Sequence, residues 1–454
     1  MTDLIKLIGL IREIRKDAGT CKRCGSCQAV CPVYAQTGLE SDVARGKLTL
    51  LEGLEQEMFK NPDGVLKRLD RCLSCGSCAV ACPRNVNILE IFIKSRVAIT
   101  DFTGLSLVKK IILRWGLSYP WRFDSFLKSI YLFQKLFVKP DGNNLGTFGV
   151  RRFFPVFRNR HFFPLAKPEK YHGVKSLNPA SEKNGSLLLK TSFPYNQKKE
   201  LRVAFFSGCI VRKFLPDIAR ASIDALNFND VKVVSSDREG CCGFPAIISG
   251  DRVTFNRLVQ YNLAKFESLK FDYLVTSCAT CTFAIKKIWP MMGADSGINQ
   301  KRVLDLAEKT IDINQFLLLN GDLKKVEKGG KEPVLVTYHD PCHLKKSLGI
   351  AKEPRKVISA NKNYILKEMK NADRCCGFGG SFNLRQYGLS GRIGMDKQRD
   401  IVAAGCSIVA SGCPACIMQI SDFVSKTQEE IIVKHPVEVY MSSFLKDCRI
   451  ITQF

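Results

Sequence analysis

Nowhere does the chain offer a run of roughly 18 apolar residues, the length a helix needs to cross a bilayer. No secretory leader is visible. The opening stretch, MTDLIKLIGLIREIRKDAG, sets Asp3, Lys6, Arg12 and Glu13 among its apolar residues and is expected to form an amphipathic helix. A Gly-rich fingerprint for FAD or NAD is also missing. These absences argue against a secreted disulfide scaffold, a membrane span and a nucleotide-cofactor enzyme. What the chain has in excess is cysteine, 20 in 454 residues, almost all in tight groups. Many thiols without a leader point to a reducing, cytoplasmic setting and to metal ligation. The formal net charge is +26. Cysteines on metal are thiolates, so bound metal would come with negative charge that offsets part of this excess. A basic surface suits acidic lipid, an acidic protein or an anionic substrate. The cysteine chemistry argues against nucleic acid as the partner.

Residues 21–32 read CKRCGSCQAVCP and residues 72–83 read CLSCGSCAVACP, both C-x2-C-x2-C-x3-C-P. Three closely spaced thiolates on a tight loop reach three irons of one [4Fe-4S] cubane, and the fourth ligates the other cluster. One cluster is therefore expected on Cys21, Cys24, Cys27 and Cys82, the other on Cys72, Cys75, Cys78 and Cys31. Gly25 and Gly76 suit the backbone bend around inorganic sulfide. Zinc is the competing ligand, but two complete four-cysteine runs in one arrangement favour iron–sulfur. Between the runs, DVARGKLTLLEGLEQEMF and DGVLKRLDRCLSC have helical periodicity, with Leu48, Leu51, Leu54 and Met58 along one face.

From 101 to 172 the texture turns basic and aromatic, with 13 Lys and Arg against 4 Asp and Glu, and with Trp115 and Trp121 among them. Rings interleaved with cations suit the face of a membrane. The competing reading packs them on the chain's own domains or on a partner subunit. Residues 173–200, with SLNPASEKNGS inside, look like a flexible connection.

Beyond residue 200 the chain repeats itself. LRVAFFSGC ending at Cys209 matches PVLVTYHDPC ending at Cys342; DREGCCGF (Cys241, Cys242) matches ADRCCGFGG (Cys375, Cys376); FDYLVTSCATC (Cys278, Cys281) matches CSIVASGCPAC (Cys413, Cys416). AFF, VLVTY, DYLVTS and SIVAS read as buried strands, and DIARASIDALNF and FNRLVQYNLAKFESL as helices. Loops at the carboxyl ends of such strands converge on one edge, so five thiolates are expected at one site per repeat. Five ligands exceed what tetrahedral zinc takes, and adjacent cysteines favour a bridging or unusual cluster. Cys406 and Cys448 fall outside the pattern and read as core thiols. His339 and His343 flank Cys342; either could tune a cluster or relay a proton, but the plainer reading is a loop histidine capping the next helix. The expected architecture is α+β and multidomain. It places a helical bis-[4Fe-4S] ferredoxin-type domain at 1–100 and a basic aromatic linker region at 101–200. Two α/β cysteine-rich (CCG) modules follow, at 201–327 and 328–454.

These residues resemble the family that pairs a two-cluster ferredoxin module with two CCG modules. It includes the glycolate oxidase and lactate-utilisation iron–sulfur proteins and, further off, the D subunits of heterodisulfide reductases. ARGKLTLLEG at 44–53 and LDRCLSCGSCAVACP at 69–83 look like the glycolate oxidase group. The resemblance implies an electron-transfer subunit beside a separate FAD subunit that oxidises a 2-hydroxy acid such as glycolate or D-lactate. Electrons would leave toward quinone or another carrier. Peripheral contact at the inner membrane face is expected from the basic aromatic segment, not from the resemblance. In one respect the chain departs from that group, whose CCG modules commonly lose the terminal C-x2-C. Here both pairs are intact, as in the heterodisulfide reductase catalytic subunit. That likeness implies two non-cubane [4Fe-4S] clusters, on Cys209, Cys241, Cys242, Cys278 and Cys281 and on Cys342, Cys375, Cys376, Cys413 and Cys416. It also implies the alternative that this chain itself reduces a disulfide.

Overall fold

The computed structural model describes residues 2–16, 19, 21–58, 60–140, 146–148, 160–167, 180–181, 187–188, 201–236, 239–293, 297–319, 323–330 and 332–444. The chain folds as two compact units. The first comprises Met1–Arg122, Gly243–Leu258 and Arg374–Lys397; the second comprises Phe123–Cys242, Val259–Asp373 and Gln398–Phe454. No described helix is long and apolar enough to cross a membrane.

Four helices build the core of the first unit: α1 (Thr2–Arg15), α2 (Ala44–Glu55), α3 (Pro62–Leu69) and α4 (Ile88–Thr103). The Asn61 side chain caps α3 by accepting the Gly64 N–H at 3.0 Å, and Pro62 sits in the first turn, where its missing N–H costs nothing. Apolar residues at helical spacing bring Leu7 and Ile11, Leu51 and Leu54, Val65 and Leu69, and Ile91 and Ile99 into one core. Cys21, Cys27, Cys72, Cys78 and Cys82 pack against it. Met58 does not extend the α2 stripe as expected. The helix ends at Glu55, Glu57 turns left-handed at φ 55°, and Met58 is 74% exposed, because helical spacing assigns no face beyond the last turn.

The basic aromatic region is helical at its start. Helix α5 (Leu107–Lys110) runs into a π-helical turn, Ile111–Leu117, and α6 follows over Pro120–Phe137. The connection expected over 173–200 lies outside the described residues except for two short strands, Ala180–Ser181 and Leu187–Leu188.

In the second unit the duplication becomes two parallel sheets of like order. The first repeat gives β1 (Arg202–Phe206), β2 (Lys232–Ser235), β3 (Tyr273–Thr276) and β4 (Thr310–Asp312), arranged β2-β1-β3-β4. The second gives β5 (Val334–His339), β6 (Tyr364–Leu366), β7 (Ile408–Ser411) and β8 (Ile432–Lys434), arranged β6-β5-β7-β8. All six of these pairings are parallel, and Leu187–Leu188 extends the first sheet by pairing antiparallel with β2. The expected helices appear as α7 (Pro216–Phe228) and α8 (Arg252–Glu267), of which Arg252–Leu258 belongs to the first unit. One apolar core takes Val203, Phe205 and Val275 from the first repeat and Val357, Ile417 and Tyr440 from the second. Strand order reverses direction beside β1 and β5. That is the switch point at whose carboxyl edge open α/β sheets place their ligands.

Candidate metal centres

In the first unit, Cys21, Cys24, Cys27 and Cys82 line one pocket. Cys31, Cys72, Cys75 and Cys78 line a second. The two runs share a backbone course. Arg23 (φ 53°) and Gly25 (φ 86°) are matched by Ser74 (φ 54°) and Gly76 (φ 75°), each glycine leading into a short helix. Ser26 Oγ lies 3.3 Å from Cys24 Sγ, and Ser77 Oγ 3.3 Å from Cys75 Sγ. The Ser26 hydroxyl holds the Cys24 thiol below its ordinary range. Burial pushes Cys31 up to about 11 and Cys78 well above the ordinary value, and neighbouring Cys27 adds to the latter. Such thiols give up protons only in exchange for a metal. Four thiols around each pocket fit an iron–sulfur cubane.

Helix α2 sends one cation to each pocket. Arg45 lines the first, donating to Arg23 O at 3.1 Å and to Glu40 at 2.6 Å; Lys47 lines the second. Two residues apart on a helix, they point about 200° apart, toward opposite sides. Lys47 is 1% exposed, and its ammonium donates to the backbone oxygen of Asp42. Burial lowers its pKa, while the charges of Cys72, Asp42 and Cys31 oppose that shift. The buried Asp42 carboxylate pairs with Arg71 at 2.9 Å. Arg96, on α4, is buried beneath the second run and donates to Cys72 O at 3.1 Å and Ser74 Oγ at 3.0 Å. Neither Lys47 nor Arg96 was singled out from the sequence. The signal for Lys47 was its place with Leu51 and Leu54 on the apolar stripe of α2.

In the second unit the first five-cysteine set comes together at the carboxyl edge of the sheet. Cys209 follows β1 and donates to Cys241 across 3.7 Å. Cys281, in the turn after β3, lies within hydrogen-bond reach of Cys242 and Cys278. The Cys241–Cys242 loop is pinned from outside. Asn262 accepts Gly240 N–H at 2.8 Å and donates to Cys241 O at 3.0 Å, and the Trp289 indole donates to Cys242 O at 2.8 Å.

Of the second set, Cys342, Cys413 and Cys416 lie in the second unit, and Cys375 and Cys376 in the first. Hydrogen bonds with Cys278 and Cys416 hold the Cys413 thiol well below its ordinary value, so the C-x2-C pairs of the two repeats meet. His343 does not cap the following helix, where Cys342 takes the cap position without a side-chain bond. Its ring stacks on Phe283 at 4.6 Å, and Nδ1 lies 3.1 Å from Thr280 Oγ1, which is itself 3.8 Å from Cys413 Sγ. His339 ends β5, buried. In the first unit, Cys375 accompanies Cys376 and reaches Cys75, the second-pocket thiol; its own pKa is pushed up to about 12, chiefly by Cys376. Cys406 is buried, and Cys448 lies outside the described residues.

Residues 17–86 match the 4Fe-4S dicluster domain, and residues 203–286 and 336–421 each match the cysteine-rich domain. The chain belongs to the iron–sulfur family built from these parts. It is similar to the probable glycolate oxidase iron–sulfur subunit of Bacillus subtilis, 25% identical over 415 residues that make up 89% of each chain. Lactate utilization protein A 2 of Bacillus mycoides is 26% identical over 242 residues, 53% of this chain and 99% of that one. The D subunit of the dihydromethanophenazine:CoB–CoM heterodisulfide reductase of Methanosarcina barkeri is 25% identical over 445 residues, 92% of each chain.

Proposed function

We propose that the chain is the electron-transfer subunit of a flavin-dependent 2-hydroxy acid dehydrogenase acting on glycolate or D-lactate. It passes electrons from a partner FAD subunit toward quinone or another carrier. One observation carries this reading: an unbroken row of thiols within the first unit. The set of Cys21, Cys24, Cys27 and Cys82 borders the set of Cys31, Cys72, Cys75 and Cys78, and Cys75 in turn reaches Cys375 of a CCG motif. Iron–sulfur clusters, when bound, accept and release single electrons. The two four-thiol sets would hold cubanes, and the two five-cysteine sets would hold non-cubane [4Fe-4S] clusters. The chain's own part is to fix these thiols in a row, to bury Cys75 and Cys375 where the row passes to the CCG motif, and to place Arg45 and Lys47 beside them as cations. The name of the Bacillus subtilis relative supports the assignment to glycolate oxidation.

A second reading makes this chain catalytic, reducing a disulfide at its CCG sites. The meeting of Cys278 with Cys413, beside His343 and Thr280, favours it, as does the heterodisulfide reductase relative. One experiment separates the two. The native complex is purified anaerobically, and cluster absorbance is followed after adding D-lactate or glycolate. Bleaching supports the flavoprotein-coupled relay. No bleaching, with reoxidation of chemically reduced clusters by a disulfide, supports the second reading and overturns the first.

A further inference from the structure

Between Leu105 and Arg122 the chain carries four cations, Lys109, Lys110, Arg114 and Arg122, and no acidic residue. Its helix turns Leu113 and Gly116 inward and leaves Leu107, Val108, Ile111, Ile112 and Trp115 exposed. Those five fall at i, i+1, i+4, i+5 and i+8, one face of a helix. The indoles are held outward too, with Trp115 54% and Trp121 56% exposed. The Arg122 guanidinium braces them, 5.0 Å from the ring of Trp121, 4.4 Å from Tyr119 and 6.0 Å from Trp115. On the inner side, Lys109 pairs with Asp70 at 3.3 Å and Arg114 with Asp251 at 3.3 Å, which fixes the helix to the first unit. An outward stripe of five large apolar side chains, left in water, is the mark of an interaction face.

We propose that this helix is an interfacial membrane anchor lying along a bilayer that bears anionic headgroups. Leu107, Ile111, Ile112 and Trp115 enter the acyl boundary, while Lys110 and Arg122 meet phosphate. The segment is too short to span a bilayer, so its axis lies in the plane of the surface. Charge decides for lipid over another protein. With Lys109 and Arg114 paired inward, Lys110 and Arg122 are the cations beside the stripe, the segment itself carries no carboxylate, and paired tryptophans suit the headgroup level. The inference goes beyond the electron-transfer reading and is tested without substrate, so either can fail alone.

The test uses the full-length protein with its clusters, purified anaerobically, and vesicles of phosphatidylcholine with or without phosphatidylglycerol. The protein should sediment with the anionic vesicles, less so as salt is raised, and brominated acyl chains should quench Trp115 and Trp121. An Ile111→Glu, Ile112→Glu double variant should lose roughly tenfold or more in vesicle affinity, with cluster absorbance and circular dichroism unchanged because both side chains are exposed. Lys110→Glu should weaken binding to the anionic vesicles alone. Failure to sediment with either vesicle, or equal binding by the double variant, would overturn the proposal. So would release of another protein from the native complex by the double variant without any change in vesicle binding, which would make the face a protein interface.

Discussion

Lys47 shows what one residue does beside a metal centre. Its ammonium is enclosed against Cys31 and Cys72, where desolvation of a charge is costly unless negative charge lies close. A bound cluster with its thiolates supplies that charge, and the cation in turn favours the more electron-rich cluster state. Lys47→Met, which keeps much of the volume, should move one midpoint potential to a more negative value and leave the other in place. Redox titration followed by electron paramagnetic resonance reads this directly, and two unchanged midpoints would deny Lys47 the role. Asp312 makes a different case, far from cysteine ligation in sequence. Burial raises its carboxyl to about 7, although Oδ1 accepts from the backbone and side-chain nitrogens of Asn314, each at 2.9 Å. An unfolded aspartate titrates near 3.9. Between about pH 4 and 7 the folded chain therefore holds a proton the unfolded chain has released, and this site's contribution to stability falls as pH rises through that window. Urea unfolding at the two ends of the window should show a smaller loss for Asp312→Asn than for the wild type. Parallel losses would mean that Asp312 does not titrate there.

Each adjacent cysteine pair of the duplicated elements, Cys241–Cys242 and Cys375–Cys376, is followed by a glycine, and the backbone says why. Gly243 has φ +82° and Gly377 φ +88°, a left-handed course that side chains other than glycine rarely take. A Cβ on Gly377 would stand 2.7 Å from Ser390 O, and one on Gly243 2.8 Å from the Phe255 ring. Gly377→Ala should cost about 2 kcal/mol or more in backbone strain and displacement and reduce iron content. By contrast Gly9→Ala, in mid-helix with nothing within 4 Å of the added carbon, should stabilise by roughly 0.5–1 kcal/mol. Thermal unfolding of both variants, with iron analysis, checks the pair, and equal effects would count against the glycine argument. Strands β1, β3, β5 and β7 were legible because each is a short apolar run ending in a cysteine loop, and the repeat showed each one twice. Helix α2 was legible from Leu48, Leu51 and Leu54, but its end was not, since Met58 keeps the spacing after the helix has stopped. The pocket lysine was illegible for a related reason: a charged residue on an apolar stripe looks like an error in the stripe until its partners are seen. Arg96, Asn262 and Trp289 escaped because their work is done on backbone oxygens, which leave no mark in sequence.

At the scale of the whole molecule, thiols are distributed unevenly between the two cores. In the first unit, Cys21, Cys27, Cys72, Cys78 and Cys82 pack directly on the helical core, around two pockets. Clusters filling those pockets would supply packing and four covalent ties each. In the second unit, the apolar cluster of Val203, Phe205, Ile223, Val275, Ile417 and Tyr440 and the one of Val336, Tyr338 and Ala410 contain no cysteine; Cys241, Cys242, Cys278, Cys281, Cys413 and Cys416 are buried apart from them. Stripping the iron with an oxidant and a chelator should therefore act unequally. Four helices would be left around emptied pockets lined by thiols, with Lys47 buried beside them, and a buried charge that loses its counter-charge is costly in a small core. Hydrogen exchange should then show protection lost across α1–α4 and kept in β1, β3, β5 and β7, with a new, lower melting transition ahead of the original one. Uniform loss of protection would mean that the sheets, too, depend on metal. The CCG sites would then be structural as well as redox-active.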